Sequence, residues 1–206
     1  MKLEKNKKWD NFFKKNNGNK YPNNFIIRLV LNHFNNIKKK YKKKINILDL
    51  GSGTGSNFFF LKNEGFNAHA IDISNNAIKK LRKEIILRNI KIPQKNIQLS
   101  TFHNIPFDDK LFDMIIDCTS LQHCKYSNIE KSFSEISRVM KKDSCFISIY
   151  ENKINNKSFS TNNIKIDKLK LLLKKKFRKI NVGFVKYKFG YLNCDESFYI
   201  IQCLKK

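Results

Sequence analysis

Ile47-Leu48-Asp49-Leu50-Gly51-Ser52-Gly53-Thr54-Gly55 is the stretch on which the reading of this chain turns. A short apolar run passes into three glycines at alternate positions, which reads as a buried strand entering a sharp turn. Ser56 to Lys62 follows as a helix, closed by Gly65. Glycine serves such a turn because the backbone must fold tightly and because a ligand can approach where a Cβ would block it. Asp72 lies 21 positions after Gly51, at the end of the next apolar run. A carboxylate at that point can accept both hydroxyls of a ribose, which places an adenosine across two neighbouring strands.

Outward from the turn, strands and helices alternate. Ala68-His69-Ala70-Ile71-Asp72-Ile73 is a second strand, and Ser74 offers a side-chain cap to a helix carrying Ala77, Ile78, Leu81, Ile85 and Ile86. Ile97–Leu99, Phe112–Asp117 and Cys145–Tyr150 are further strands, and the spacing of Ile129, Phe133, Ile136, Val139 and Met140 predicts a helix over 128–142. The tail predicts a helix around 166–177 and a hairpin of 179–189 with 197–203, with an Asn-rich loop at 151–163. The expected fold is α/β: a doubly wound sheet of about seven strands, mostly parallel, with an antiparallel C-terminal hairpin strand. One domain is expected over 1–206: a helical cap (1–40), a core (45–150), and a C-terminal helix and hairpin (164–206).

The composition bounds the function. Apolar residues make up 41% of 206, enough to bury a core, and no run reaches the roughly 18 uncharged apolar residues of a membrane span. No apolar segment follows the basic N-terminus, so no secretory signal is read and the expected location is cytoplasmic. The net charge of +25 points to polyanions, yet 37 of the 42 basic residues are Lys and only five are Arg, the residue suited to bidentate phosphate and base contacts. Asn (27) and Ile (26) are inflated with Lys, as A/T-rich codons would produce. A compositional drift and a selected nucleic-acid surface both fit, and weak non-specific RNA binding follows from either. Five Cys without a C-x-x-C pair and four His without ligand spacing indicate neither a disulfide framework nor a metal site.

The glycine turn leaves three options: a plain tight turn, a dinucleotide site, or another adenosine site. A dinucleotide turn wants G-x-G-x-x-G, and here Ser56 stands where the third glycine would be. Five ordered blocks sharpen the choice. The turn resembles motif I of the class I S-adenosylmethionine-dependent methyltransferases. Ile71-Asp72-Ile73-Ser74-x-x-Ala77-Ile78 resembles their ribose segment, and Ile105-Pro106-Phe107-Asp108-Asp109-x-x-Phe112-Asp113 their L-P-F-x-D loop and fourth strand. Ser120-Leu121-Gln122-His123 resembles the V-L-H-H block, and Glu135-Ile136-Ser137-Arg138-Val139-Met140-Lys141 the E-I-x-R-V-L-K block. The flavour is that of the ubiquinone-biosynthesis and tellurite-resistance type, and Trp9…Tyr21-Pro22 resembles the N-terminal cap of small-molecule members.

That resemblance implies a Rossmann-like fold, S-adenosyl-L-methionine as cofactor, and a set of roles. Gly51, Ser52 and Gly53 would line the methionine part, with Asn57 nearby and Asp49 orienting the turn. Asp72 would hold the ribose and Ile73 the adenine, with the Thr101 hydroxyl at the adenine amino group in place of the usual Asp and the Phe102 backbone N–H still serving the adenine edge. Asp117 and Cys118 would face the sulfonium, His123 would be the general base, and Trp9 and Tyr21 would meet the acceptor. Lys142-Asp143-Ser144 replaces the family's Pro-Gly-Gly, implying an altered loop away from the cofactor. Each residue also has a plain structural reading: Asp49 as a turn cap, Asp117 as a strand end, His123 as a hydrogen-bonded structural histidine, Trp9 and Tyr21 as helix staples.

The acceptor expected from this reading is a small molecule. No [N/D/S]-P-P-[Y/F] tetrad follows the fourth strand, no Cys follows a Pro, and the lysine run 38–44 precedes strand one, at the edge away from the site. A tRNA or rRNA methyltransferase and a degenerate, non-catalytic cofactor- or RNA-binding protein are the alternatives.

Overall fold

The computed structural model describes residues 7–152, 166–189 and 194–206. Its elements are α1 (Lys7–Lys15), α2 (Asn24–His33), α3 (Lys39–Lys42), β1 (Asn46–Leu50), α4 (Ser56–Asn63), β2 (Asn67–Asp72), α5 (Asn75–Leu87) and β3 (Ile97–Leu99). They continue with β4 (Phe112–Cys118), α6 (Tyr126–Val139), β5 (Met140–Glu151), α7 (Ile166–Lys174), β6 (Phe177–Phe189) and β7 (Cys194–Lys205). Seven strands form one sheet in the order β3-β2-β1-β4-β5-β7-β6. The first five are parallel, and β7 runs antiparallel between β5 and β6.

Alternation along the strands builds two cores. Ile47 of β1, Met114 and Ile116 of β4, and Cys145 and Ile147 of β5 face Ile26 and Val30 of α2, Phe58 of α4 and Leu81 of α5. Leu48, Leu50, Ile115 and Phe146 face the other way, onto Ile129, Phe133 and Ile136 of α6 and Leu169 and Leu173 of α7. A strand buried on both faces reads as a continuous apolar run, which is why period-2 patterning was invisible in β1 and β4. Each of these side chains contributes about 1.5–3 kcal/mol by leaving water.

Two residues of α6 hold the loop before β4. Glu135 accepts the backbone N–H of Ile105 (2.9 Å). The Arg138 guanidinium donates to the carbonyls of Ile105 (2.8 Å) and Phe107 (3.0 Å) and to Glu135 and Asp109. The loop before β4 is thereby fixed to α6.

Some boundaries differ from the sequence reading. The helix expected to 142 ends at Val139, and Met140 opens β5 opposite Phe112. Met140 is fully buried, which serves a strand as well as a helix face, so spacing did not reveal the change. The Lys142-Asp143-Ser144 turn is absorbed into β5, where Asp143 takes a left-handed φ of 61° and pairs with Arg178. The tail helix stops at Lys174 and Phe177 starts β6. The expected loop 151–163 lies outside the described residues from 153 on, and the connection between the two expected hairpin strands lies outside them from 190 to 193. Among the described residues no helix is long and apolar enough to cross a membrane, and no cluster of metal-ligating side chains occurs.

Candidate functional site

The strand order reverses between β1 and β4, and a cavity of about 1220 Å³ opens there at the carboxyl ends of the strands. That exceeds the roughly 300–1,000 Å³ of an ordinary small-molecule site. It has room for a nucleoside cofactor and a second small molecule.

The glycine turn forms one wall. Gly51, Gly53 and Gly55 all take positive φ (74°, 54° and 96°). Gly51 and Ser52 donate to the Ile71 carbonyl, and Gly53 donates to Asp72 Oδ2 at 2.8 Å. Asp72 Oδ1 accepts the N–H of Ser74 at 2.8 Å, so one carboxylate ties the turn to the start of α5. The glycines prove necessary for a reason other than ligand approach. A Cβ on Gly51 would stand 2.4 Å from Ser120 Cβ, and one on Gly53 would stand 3.1 Å from Phe13 Cζ. The protein's own side chains fill those spaces.

Helix α1 roofs the cavity. Asp10 Oδ1 accepts from Ser74 Oγ and from the N–H of Asn76 (both 2.9 Å), and Asn76 Nδ2 donates to the Asp10 carbonyl. Ser74 in turn caps α5 through the N–H of Ala77. Thr54 Oγ1 donates to the Asn17 carbonyl, and the N–H of Asn23 to Asn57 Oδ1. The Trp9 ring meets the His123 ring edge-on, centroids 4.8 Å apart, closing the roof against the 3₁₀ turn Leu121–His123. On that side Thr119 holds a left-handed φ of 59°, a conformation worth about 1–3 kcal/mol of strain in a β-branched residue.

Three carboxylates from neighbouring strands gather here, Asp72 in the cavity wall and Asp49 and Asp117 beneath it. Asp49 is buried, its Oδ2 without a partner. Burial, then the charges of Asp117 and Asp72, push it up to about 8 against one backbone N–H from Phe58. Asp117 accepts from the N–H groups of Ser120 and Leu121 (both 3.0 Å) and from Ser148 Oγ (2.6 Å), and burial still raises it to about 6. Burial raises Asp72 to about 6, opposed by the N–H groups of Ser74, Gly53 and Ile73. Cys118 is pushed up to about 12 by burial and the adjacent Asp117 and Asp49, so its thiol stays protonated.

The cavity brings together Trp9, Gly51, Ser52, Gly53, Asn57, Asp72, Ile73, Thr101, Phe102, Cys118 and His123. Three other sequence candidates lie off its wall. Asp49 sits beneath the turn, Asp117 is drawn under the 119–121 turn by its three donors, and Tyr21 is 73% exposed between α1 and α2. Asn57 reaches the wall while supporting the chain at Asn23. Ser100, Thr119, Ser120, Phe12 and Phe13 also line the cavity and went unread, because each needs a tertiary contact to reach it.

An adenosine-bearing cofactor fits this wall. The Ser52 hydroxyl is buried without a partner beside the turn, and Asp72 stands at the second strand end. A carboxylate has about four acceptor sites, which leaves capacity for a ligand hydroxyl.

Residues 48–148 match the family described as "Methyltransferase domain". Among curated proteins the chain is 28% identical over 130 residues to the uncharacterized protein MJ0638 of Methanocaldococcus jannaschii, covering 63% of this chain and 52% of that protein. The chain spans about half the length or less of the curated relatives it matches. The fold is similar to that of a SAM dependent methyltransferase from Aquifex aeolicus (TM-score 0.64, 19% identity, 96% of this chain and 98% of that one). It is likewise similar to TehB from Haemophilus influenzae (TM-score 0.68, 15% identity, 96% and 67%).

Proposed function

Since the chain belongs to the class I S-adenosylmethionine-dependent methyltransferase family, we propose that it binds S-adenosyl-L-methionine in the cavity at the β1/β4 switch and directs methyl transfer to a small-molecule acceptor. The observation carrying this reading is the pairing of Asp72 with the glycine turn on one wall of a roofed cavity. When bound, the cofactor supplies a methyl carbon already activated on a sulfonium. The protein's part is to position an acceptor and keep water out.

Asp72 would hold the ribose hydroxyls, Ile73 the adenine face, and Thr101 and Phe102 the adenine edge. Gly51, Ser52, Gly53 and Asn57 would flank the methionine end, and Cys118 would contribute an uncharged wall there. Helix α1 shields the site, with Phe13 over the turn and Trp9 against His123. His123, in the cavity wall, would take the proton from a hydroxyl or ammonium acceptor.

The basic run favours no nucleic-acid acceptor. Lys39–Lys42 forms α3 immediately before β1, at the amino end of the strand, while the cavity lies at the carboxyl ends. Incubating the protein with methyl-labelled S-adenosylmethionine and a cell extract divided into RNA and small-molecule filtrate tests the acceptor class. Label in the filtrate is expected, and label confined to RNA would overturn it.

A further inference from the structure

Behind the part of the cavity wall formed by Cys118, Thr119, Ser120 and His123 stands Asp117, fully buried and outside the wall itself. A buried carboxylate is costly unless donors surround it. Here two of the donors come from the turn after β4: the N–H groups of Ser120 and Leu121 reach Asp117 Oδ1 at 3.0 Å each. The third is Ser148, the residue paired with Asp117 across the sheet, whose Oγ donates to Oδ2 at 2.6 Å. The carboxylate is thus fixed to β5 on one side and holds the turn on the other.

That turn would not keep its shape unaided. Thr119 is β-branched at a φ of 59°, a conformation that persists only where its surroundings over-determine it. Its N–H donates to the Ile149 carbonyl at 2.9 Å, so three consecutive N–H groups are pinned, one to β5 and two to Asp117. The 3₁₀ turn follows at once, with the N–H of His123 donating to the Ser120 carbonyl (3.0 Å) and that of Cys124 to the Leu121 carbonyl (2.9 Å). The placement of His123 in the wall therefore traces back through Ser120 and Leu121 to Asp117.

Resting on the methyl-transfer reading above, we propose that Asp117 is a positioning residue for the reaction: as a hydrogen-bond acceptor, and not as a charge facing the sulfonium, it sets the turn that presents Thr119 and His123 to the methyl acceptor. An uncharged side chain of the same shape then serves as well. The Asn oxygen can take the same two N–H groups, and its amide can donate to the Ser148 hydroxyl, which also accepts.

Three readouts test this. Methyl-labelled S-adenosylmethionine with the extract fraction that takes up label gives the maximal rate, and calorimetry with S-adenosylhomocysteine gives the cofactor affinity. Emission of Trp9, the chain's single tryptophan, follows the turn, because its ring meets His123 while α1 is fastened separately through Asp10. Asp117→Ala should lower the maximal rate by about ten- to hundredfold, the cost of a misplaced reacting group, and shift the Trp9 emission. Its S-adenosylhomocysteine affinity should fall by about threefold at most, since Gly51, Ser52 and Gly53 donate to Ile71 and Asp72 without it. Asp117→Asn should keep the wild-type emission and a rate within about threefold of wild type. Should the alanine variant fail to fold, Ser148→Ala, which releases one carboxylate oxygen, should show the same changes on a smaller scale. A rate in Asp117→Asn lower by about tenfold or more assigns Asp117 a role through its charge and overturns the proposal. Wild-type rate and emission in Asp117→Ala, or in Ser148→Ala where the former does not fold, overturns it too, as does an affinity loss in Asp117→Ala equal to the loss of rate. A wild-type protein that binds S-adenosylhomocysteine but labels no fraction overturns the positioning role, whereas absence of that binding overturns the methyltransferase reading itself.

Discussion

Ser120 occupies the space that a side chain at Gly51 would need: an added Cβ would lie 2.4 Å from Ser120 Cβ and 2.5 Å from its Oγ. The Ser120 hydroxyl also donates to the Gly51 carbonyl at 3.1 Å. The turn after β1 and the turn after β4 are thus packed into each other, and the cavity's shape depends on both.

Gly51→Ala should destabilise the protein by about 2–4 kcal/mol, the sum of overpacking and a φ of 74°. Adding Ser120→Gly should restore about 1–2 kcal/mol, since it removes the clash and leaves the φ strain. Denaturant unfolding of the double-mutant cycle checks this, and simple additivity would contradict it.

Asp10 fastens the roof through Ser74 and Asn76. Asp10→Ala should cost about 1 kcal/mol, as loss of a capping carboxylate does. It should also speed hydrogen exchange in α1 and weaken S-adenosylhomocysteine binding several-fold. Unchanged exchange in residues 7–15 would show that the roof is held otherwise.

Arg138 carries five donor contacts onto Glu135, Asp109 and the loop carbonyls of Ile105 and Phe107. Lysine cannot reproduce that fork. Since the side chain is about a third exposed, Arg138→Lys should cost about 1–2 kcal/mol rather than the full value of a buried network. The loss should appear as a lower urea midpoint at unchanged slope.

The buried carboxylates give the free protein a defined pH dependence. Asp49 rises from its ordinary value of 3.8 to about 8, so its folded form holds a proton that its unfolded form releases. The stability this contributes is complete below pH 4 and is lost as pH rises toward 8. His69 acts oppositely: burial, then Lys95 and Lys62, lower it to about 4, so acid between pH 6.5 and 4 favours the unfolded chain. The difference between wild type and Asp49→Asn cancels the His69 contribution. Asp49→Asn should melt higher than wild type by a margin that widens from pH 5 to pH 8, reaching a few kcal/mol at about 1.4 per unit of displacement. A margin independent of pH would contradict the shift.

The sequence revealed what depends on local chemistry. Glycine spacing marked the turn, Ser74 marked the start of α5, and the apolar runs marked the central strands. It revealed less where one residue serves two structures equally, as Met140 does at the join of α6 and β5. It also failed where orientation decides: Asp117 and Cys118 are neighbours on β4, yet Cys118 lines the cavity and Asp117 lies under the turn. The roof was legible only as a resemblance around Trp9, because Asp10 acts on residues 64 and 66 positions away.

The central claim is that a nucleoside cofactor rests on the glycine turn with its ribose at Asp72. Isothermal titration of wild type and Asp72→Ala with S-adenosylhomocysteine, folding of both checked by near-ultraviolet circular dichroism, tests it most directly. The account predicts saturable binding to wild type and an affinity at least about tenfold lower in the variant, as expected for a lost charged hydrogen bond. No heat with wild type, or equal affinities for the two proteins, would contradict it.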